Sequence, residues 1–98
     1  MSYTVCWTLQ AEQTFVANLE YLEKSWTHAV INDFLDRVEE VLQTLLKNPY
    51  TYPLHRPQDG IRKCIVNERI ILFFIIDRDA IKLLSFWNTH KDPGSLFL

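Results

Sequence analysis

Residues 69–76 read RIILFFII, one cation followed by an unbroken apolar run. Ile is β-branched and Phe aromatic, the types that suit a pleated surface. A strand whose alternating faces are both apolar needs cover on both sides, so this run predicts the central strand of a sheet. Polar turns bracket it: Asn67-Glu68 before, where Asn tolerates a left-handed backbone, and Asp77-Arg78-Asp79 after. Beyond those turns stand two more strands. Residues 61–66 alternate Ile61, Lys63 and Ile65 against Arg62, Cys64 and Val66. Residues 80–87 place Ile81, Leu83, Ser85 and Trp87 on one side. Turns this short between strands make the three an antiparallel meander.

Upstream the period changes. In residues 3–8, Tyr3, Val5 and Trp7 alternate with Thr4, Cys6 and Thr8, which predicts a first strand with one wetter face. From Leu9 to about Lys24 the spacing is helical, with Ala11, Phe15, Leu19 and Leu22 on one stripe and Thr8 as the N-cap. A second helix is expected from Thr27, as N-cap, to about Lys47. Trp26 and Ile31 stand at the two positions of a hydrophobic staple. Ile31, Phe34, Val38, Val41 and Leu45 form its stripe, widened by Val30, Leu35, Leu42 and Leu46; Asp33, Asp36, Arg37, Glu39, Glu40 and Gln43 take the other side. Pro49 disfavours helical geometry at Asn48 and ends the helix. The short break between helices predicts an antiparallel hairpin. The Pro-rich stretch 48–60, with Tyr50 and Tyr52, reads as an ordered loop. The order is β-α-α-β-β-β, an α+β fold with an antiparallel sheet and a helical hairpin on one face, one domain over residues 1–98.

The formal net charge is −2 at 98 residues, which speaks against binding nucleic acid by bulk electrostatics. The balance is uneven. Residues 10–47 hold three basic and seven acidic groups, net −4; residues 48–98 hold seven basic and five acidic, net +2. A local basic patch is therefore confined to the second half. Cys6 and Cys64 lie in strand-like segments without metal-ligand spacing and read as buried thiols. Residues 70–76 are far too short to span a bilayer, and the N-terminus lacks a signal-peptide pattern, so a cytoplasmic protein without a membrane partner is expected.

This order, with particular residues at its joints, resembles the RelE/ParE superfamily of toxins from type II toxin–antitoxin (plasmid stabilisation) systems. The segments that carry it are residues 3–11, YTVCWTLQA; Tyr21-Leu22 with Trp26; Asn48-Pro49; Ile61-Arg62-Lys63; and residues 84–89, LSFWNT, running into Asp92-Pro93. No one motif is specific; the ordered series, from about Tyr3 to Pro93, is closer to the ParE branch than to the ribosome-dependent RelE branch. The resemblance implies a cognate antitoxin whose C-terminal segment wraps and blocks the toxin in a hetero-oligomer. It implies DNA gyrase as target in the ParE branch, and messenger RNA on the ribosome in the RelE branch. A non-toxic interaction module is a third reading. The tail residues Leu96, Phe97 and Leu98 are the expected antitoxin contact, being apolar groups that either bind a partner or fold back on the core.

RNA cleavage needs a group to activate the ribose 2′-hydroxyl, cations for the crowded phosphate and an acid for the leaving oxygen. His90 titrates near working pH and is the candidate acid–base, with Arg62 as its catalytic partner. Lys63, Arg69 and Lys91 are candidate target or nucleic-acid contacts. Each has a plainer reading: His90 as a surface group before Pro93, Arg62 or Lys63 as a solvated strand residue. His55 reads as a surface residue and His28 carries no signal. ParE-like sequences usually have Arg ahead of the Asp-Pro; here Thr89 leads into His90 and Lys91 supplies the charge. No metal cluster, phosphate loop or Ser-His-Asp pattern is present in the sequence, so no cofactor and no metal is expected.

Overall fold

A computed structural model describes residues 2–89 of the chain. Strand β1 (Thr4–Trp7) leads into helix α1 (Leu9–Ser25) and helix α2 (His28–Lys47). Strands β2 (Leu54–Arg56), β3 (Ile61–Ile65), β4 (Ile70–Asp77) and β5 (Ala80–Asn88) follow. The sheet has five strands in the order β1-β5-β4-β3-β2.

The expected meander is present: β3 pairs antiparallel with β4, and β4 with β5. Two features go beyond the expectation of an antiparallel four-strand sheet. β1 joins β5 in parallel, so the sheet is mixed. The Pro-rich connection contributes β2, which pairs antiparallel with β3 through a register irregularity between Leu54 and Arg56. Asn48 Oδ1 accepts from the Tyr50 N–H at 3.0 Å, and Lys63 N–H donates to the Pro53 carbonyl at 3.1 Å, so this connection is held along the sheet edge.

β4 is an inner strand. Ile70, Leu72 and Phe74 face the helices and are fully buried, and Phe73, on the other face, is 1% exposed. The helix stripes are largely as the period requires: Ala11 and Leu22 from α1, and Phe34, Val38, Val41 and Leu45 from α2, are buried. Leu35 and Leu46, which the wider stripe includes, are exposed instead. Trp7, Phe15, Phe34 and Phe86 form an aromatic cluster with ring centroids 5.4 to 5.7 Å apart.

Two local expectations are corrected. Phe73 pairs with Ser85 but Phe74 pairs with Leu83, so β5 carries one extra residue there. Such a bulge inverts the side-chain alternation beyond it. Ser85 and Trp87 therefore leave the face of Ile81 and Leu83, and Phe86 and Asn88 take it. Cys6 is exposed rather than buried, because among the described residues β1 has a sheet neighbour on one side only; Cys64 is buried as expected.

β1 ends at Trp7, and the outer edge of β5 beyond Leu83 would lose its partner there. Side chains of α1 take over. Thr8 donates its hydroxyl to the Leu83 carbonyl at 2.7 Å while accepting the Ala11 N–H at 3.1 Å as N-cap. Thr14 Oγ1 accepts the Phe86 N–H at 2.9 Å. Asn18 Nδ2 donates to the Phe86 carbonyl at 3.0 Å, and Asn18 Oδ1 accepts from Asn88 Nδ2 at 2.9 Å. Asn18 is 3% exposed on an otherwise apolar helix face because it satisfies this strand edge.

Candidate functional site

The sequence expectations for His90, Lys91, Leu96, Phe97 and Leu98 lie outside the described residues. The remaining candidates are Arg62, Lys63 and Arg69.

Arg62 and Lys63 adjoin on β3, so their side chains take opposite faces. Arg62 lies opposite Phe74 and shares the helix-facing side. Its Nη1 donates to the Tyr52 carbonyl at 2.7 Å, and its guanidinium lies 5.0 Å from the Tyr50 ring centroid. The planar fork is thus held by the connection after α2. Lys63 lies opposite Phe73, on the face away from the helices, and is half-buried. His55 of β2 shares that neighbourhood, its ring centroid 4.9 Å from that of Phe73. His55 is half-buried rather than the free surface group its sequence context suggests.

Register separates Arg62 from the end of β5. Arg62 pairs with Phe74 and Phe74 with Leu83, whereas Asn88 pairs with Ile70, at the other end of β4. At about 3.3 Å per residue, the four residues from Ile70 to Phe74 span roughly 13 Å. Acting beside His90 would require Arg62 to lie near the end of β5, and the register places it away from that end. Arg69 occupies that place instead: its carbonyl accepts the Thr89 N–H at 2.7 Å and the Thr89 hydroxyl at 3.1 Å.

The Arg69 side chain turns to the helical hairpin. Its guanidinium stacks 4.1 Å from the Trp26 ring centroid, and Nη1 lies 3.5 Å from Glu68 Oε1. The side chain is 18% exposed. Asn67 sets it there, since its Oδ1 accepts both the Arg69 and Ile70 N–H groups, at 2.8 and 2.9 Å. Across from it, Arg37 Nε donates to the Val66 carbonyl at 2.9 Å. Between them runs an open groove of about 370 Å³, walled by Val30, Asp33, Phe34 and Arg37 of α2 and by Asn67, Glu68 and Arg69. Its charged lining groups balance, two arginines against two carboxylates.

Sequence reading missed Arg37, placed on the solvated side of α2, and Trp26, placed in a staple. Neither signal is local: Trp26 meets Arg69 and Arg37 meets Val66 only through the tertiary fold. Inside, burial pushes the Cys64 thiol up, opposed by the Tyr52 hydroxyl and by Arg37. Burial also raises Tyr52, reinforced by its hydrogen bond to Cys64. A buried, protonated thiol is a poor nucleophile. Among the described residues no group of three or more His, Cys, Asp or Glu side chains is placed to hold a metal ion. No helix among them is long and apolar enough to cross a membrane.

No family model and no curated protein matches the sequence. Solved structures do match in shape. A chain of the chromosomal ParDE TA system from P. aeruginosa superposes with a TM-score of 0.71 at 14% identity, covering 88% of this chain and 95% of that one. A chain of the E. coli DinJ-YafQ toxin-antitoxin complex gives 0.65 at 13%, covering 96% and 100%. The YoeB dimer from Staphylococcus aureus gives 0.61 at 14%, covering 87% and 94%. At such identities what is shared is the fold: two helices on a mixed five-strand sheet, as in RelE/ParE-like toxins.

Proposed function

We propose that this chain is the toxin half of a toxin–antitoxin pair, acting in the cytoplasm by binding a target protein and held silent by a cognate antitoxin. The target of that reading is DNA gyrase, trapped during DNA breakage, as the resemblance to the ParE branch implies. Three things support it: the fold shared with chains of toxin–antitoxin systems, the higher TM-score of the ParDE chain among the three neighbours reported, and the net acidic chain. The observation that carries the choice of a binding toxin over an RNA-cleaving one is the placement of Arg62. The cation that would act beside His90 is bonded to the Tyr52 carbonyl, on the helix side, far along the sheet from Thr89.

One observation favours the second reading, messenger-RNA cleavage on the ribosome. Arg69 stands at the end of β5, adjacent to Thr89, and its Nε is buried with no hydrogen-bond partner among the described residues. In that reading Arg69, rather than Arg62, supplies the phosphate contact, with Lys63 and Lys91 as further cations and His90 as acid–base. Expression of the chain alone in bacteria separates the readings. Growth arrest with filamentation and DNA-damage signalling supports the gyrase reading; rapid loss of translation with cut messages supports cleavage. Unimpaired growth refutes both and leaves a non-toxic interaction module. His90→Ala abolishes RNA cleavage and barely changes gyrase trapping. Leu96→Ser and Phe97→Ser, in the tail assigned to the antitoxin with Leu98, weaken neutralisation if that assignment holds.

A further inference from the structure

The two edges of the sheet are built differently. β2 is guarded in the ways sheet proteins use against edge pairing: it is short, flanked by Pro53 and Pro57, irregular in register and charged at Arg56. β1, at four residues, is also short but has none of the other guards. Residues 3–8, YTVCWT, contain no charge, no Pro and no Gly.

The hydrogen bonds of β1 fix which backbone groups are left over. Thr4 N–H donates to the Asp79 carbonyl at 2.9 Å and Thr8 N–H to the Leu83 carbonyl at 3.3 Å, so the even-numbered residues address β5. By the two-residue alternation of a strand, the N–H and C=O of Val5 and Trp7 point away from β5. No strand among the described residues lies on that side. The Val5 and Trp7 side chains pack toward the core cluster, while Thr4 and Cys6 are exposed on the other face.

We infer that this edge pairs with the β1 edge of a second copy of the chain, antiparallel and centred on Cys6. The register follows from the groups available. Val5 of one copy and Trp7 of the other exchange N–H and C=O bonds, and the reverse pair does the same about a two-fold axis. An isologous contact sets the residue on the axis against itself, so a charge there would repel its own image. An uncharged edge suits a second copy for that reason. Cys6 then faces Cys6 of the other copy in a non-hydrogen-bonded pair, with Cα atoms about 4.5 Å apart. That lies within the span a disulfide bridges, about 4.4 to 6.8 Å. The exposed thiol therefore reports the register. The inference rests on the strand edge and not on the toxin reading.

The test is sedimentation of the purified chain across a concentration series, with oxidative cross-linking by copper phenanthroline. A concentration-dependent dimer is expected, trapped as a covalent dimer on a non-reducing gel. Cys6→Ser retains the dimer and loses the cross-link. Cys6→Lys sets like charges opposite each other on an exposed face and weakens the dimer without touching the core. Val5→Pro removes an outward N–H, is tolerated on an edge strand, and weakens the dimer by about tenfold or more, since the symmetric contact loses the bond twice. Circular dichroism confirms that the variants fold. A monomer at every concentration overturns the inference, as for an edge that serves a strand of another protein instead. A dimer indifferent to Cys6→Lys and without a Cys6 cross-link overturns it equally.

Discussion

Replacing Asn18 with Leu, which has the same branched skeleton without the polar atoms, tests whether α1 serves as the substitute partner for the free edge of β5. The wild-type amide makes two bonds to that strand: it donates to the Phe86 carbonyl at 3.0 Å and accepts from Asn88 at 2.9 Å. Leu keeps the branched skeleton, removes both bonds, and adds the bulk of two methyl groups at a buried site. A typical hydrogen bond contributes about 0.5–1.5 kcal/mol net, and a buried group left without its partner costs about 1–3 kcal/mol. The Phe86 carbonyl becomes such a group, while the gain from an apolar side chain on a helix face offsets part of the loss. The net expectation is a destabilisation of about 2–4 kcal/mol. For a chain of 98 residues each kcal/mol moves Tm by about 4–8 °C, so Tm falls by roughly 8–32 °C. Urea denaturation followed by tryptophan fluorescence measures the difference. Gln13→Ala, on the exposed side of the same helix, is the control and stays within about 0.5 kcal/mol. Hydrogen exchange adds a site-specific reading, because the Phe86 amide, held by Thr14 Oγ1, loses protection in Thr14→Val. If Asn18→Leu is as stable as wild type, the edge of β5 is not sustained by α1 and the reasoning fails.

Phe34→Ala empties a fully buried position between α2 and the aromatic cluster and costs about 3–5 kcal/mol, read by the same denaturation series. Arg78 turns the β4–β5 hairpin at φ 59°, in the left-handed region that penalises a Cβ, so Arg78→Gly raises stability by about 0.5–1 kcal/mol; a loss would contradict the strain. Folding holds Cys64 and Tyr52 in their protonated forms, with both groups raised above their ordinary values of 9.0 and 10.0. Above those values the unfolded chain binds fewer protons than the folded one, so stability is full below pH 9 and falls as pH rises through 9 and then 10. Cys64→Ala removes the first part of that fall, and an unchanged profile would contradict the burial argument.

The architecture was legible because its signals are local. The run 70–76 announced an inner strand, Phe34, Val38, Val41 and Leu45 a buried helix face, and Thr8 a cap whose bond is present. What escaped depends on register and on the surroundings of each side chain. The extra residue in β5 has no Gly or Pro to mark it, yet it moves Ser85 and Trp87 to the other face. The parallel placement of β1 and the exposure of Cys6 follow from strand order, which alternation does not encode. At the candidate site the cations named from the sequence have partners that the sequence does not show. Arg62 is taken by Tyr50 and Tyr52, and Arg69 by Trp26, forty-three positions earlier in the chain. A guanidinium on an alternating strand looks solvated until the loop that stacks on it is in place.

The most direct measurement mixes the purified chain with DNA gyrase, ATP and supercoiled plasmid, then strips protein from the DNA with detergent and protease. If the chain traps gyrase as proposed, linear plasmid accumulates with rising amounts of the chain and disappears when the cognate antitoxin is added. Plasmid that stays intact, while messages on translating ribosomes are cut by the same preparation, would contradict it.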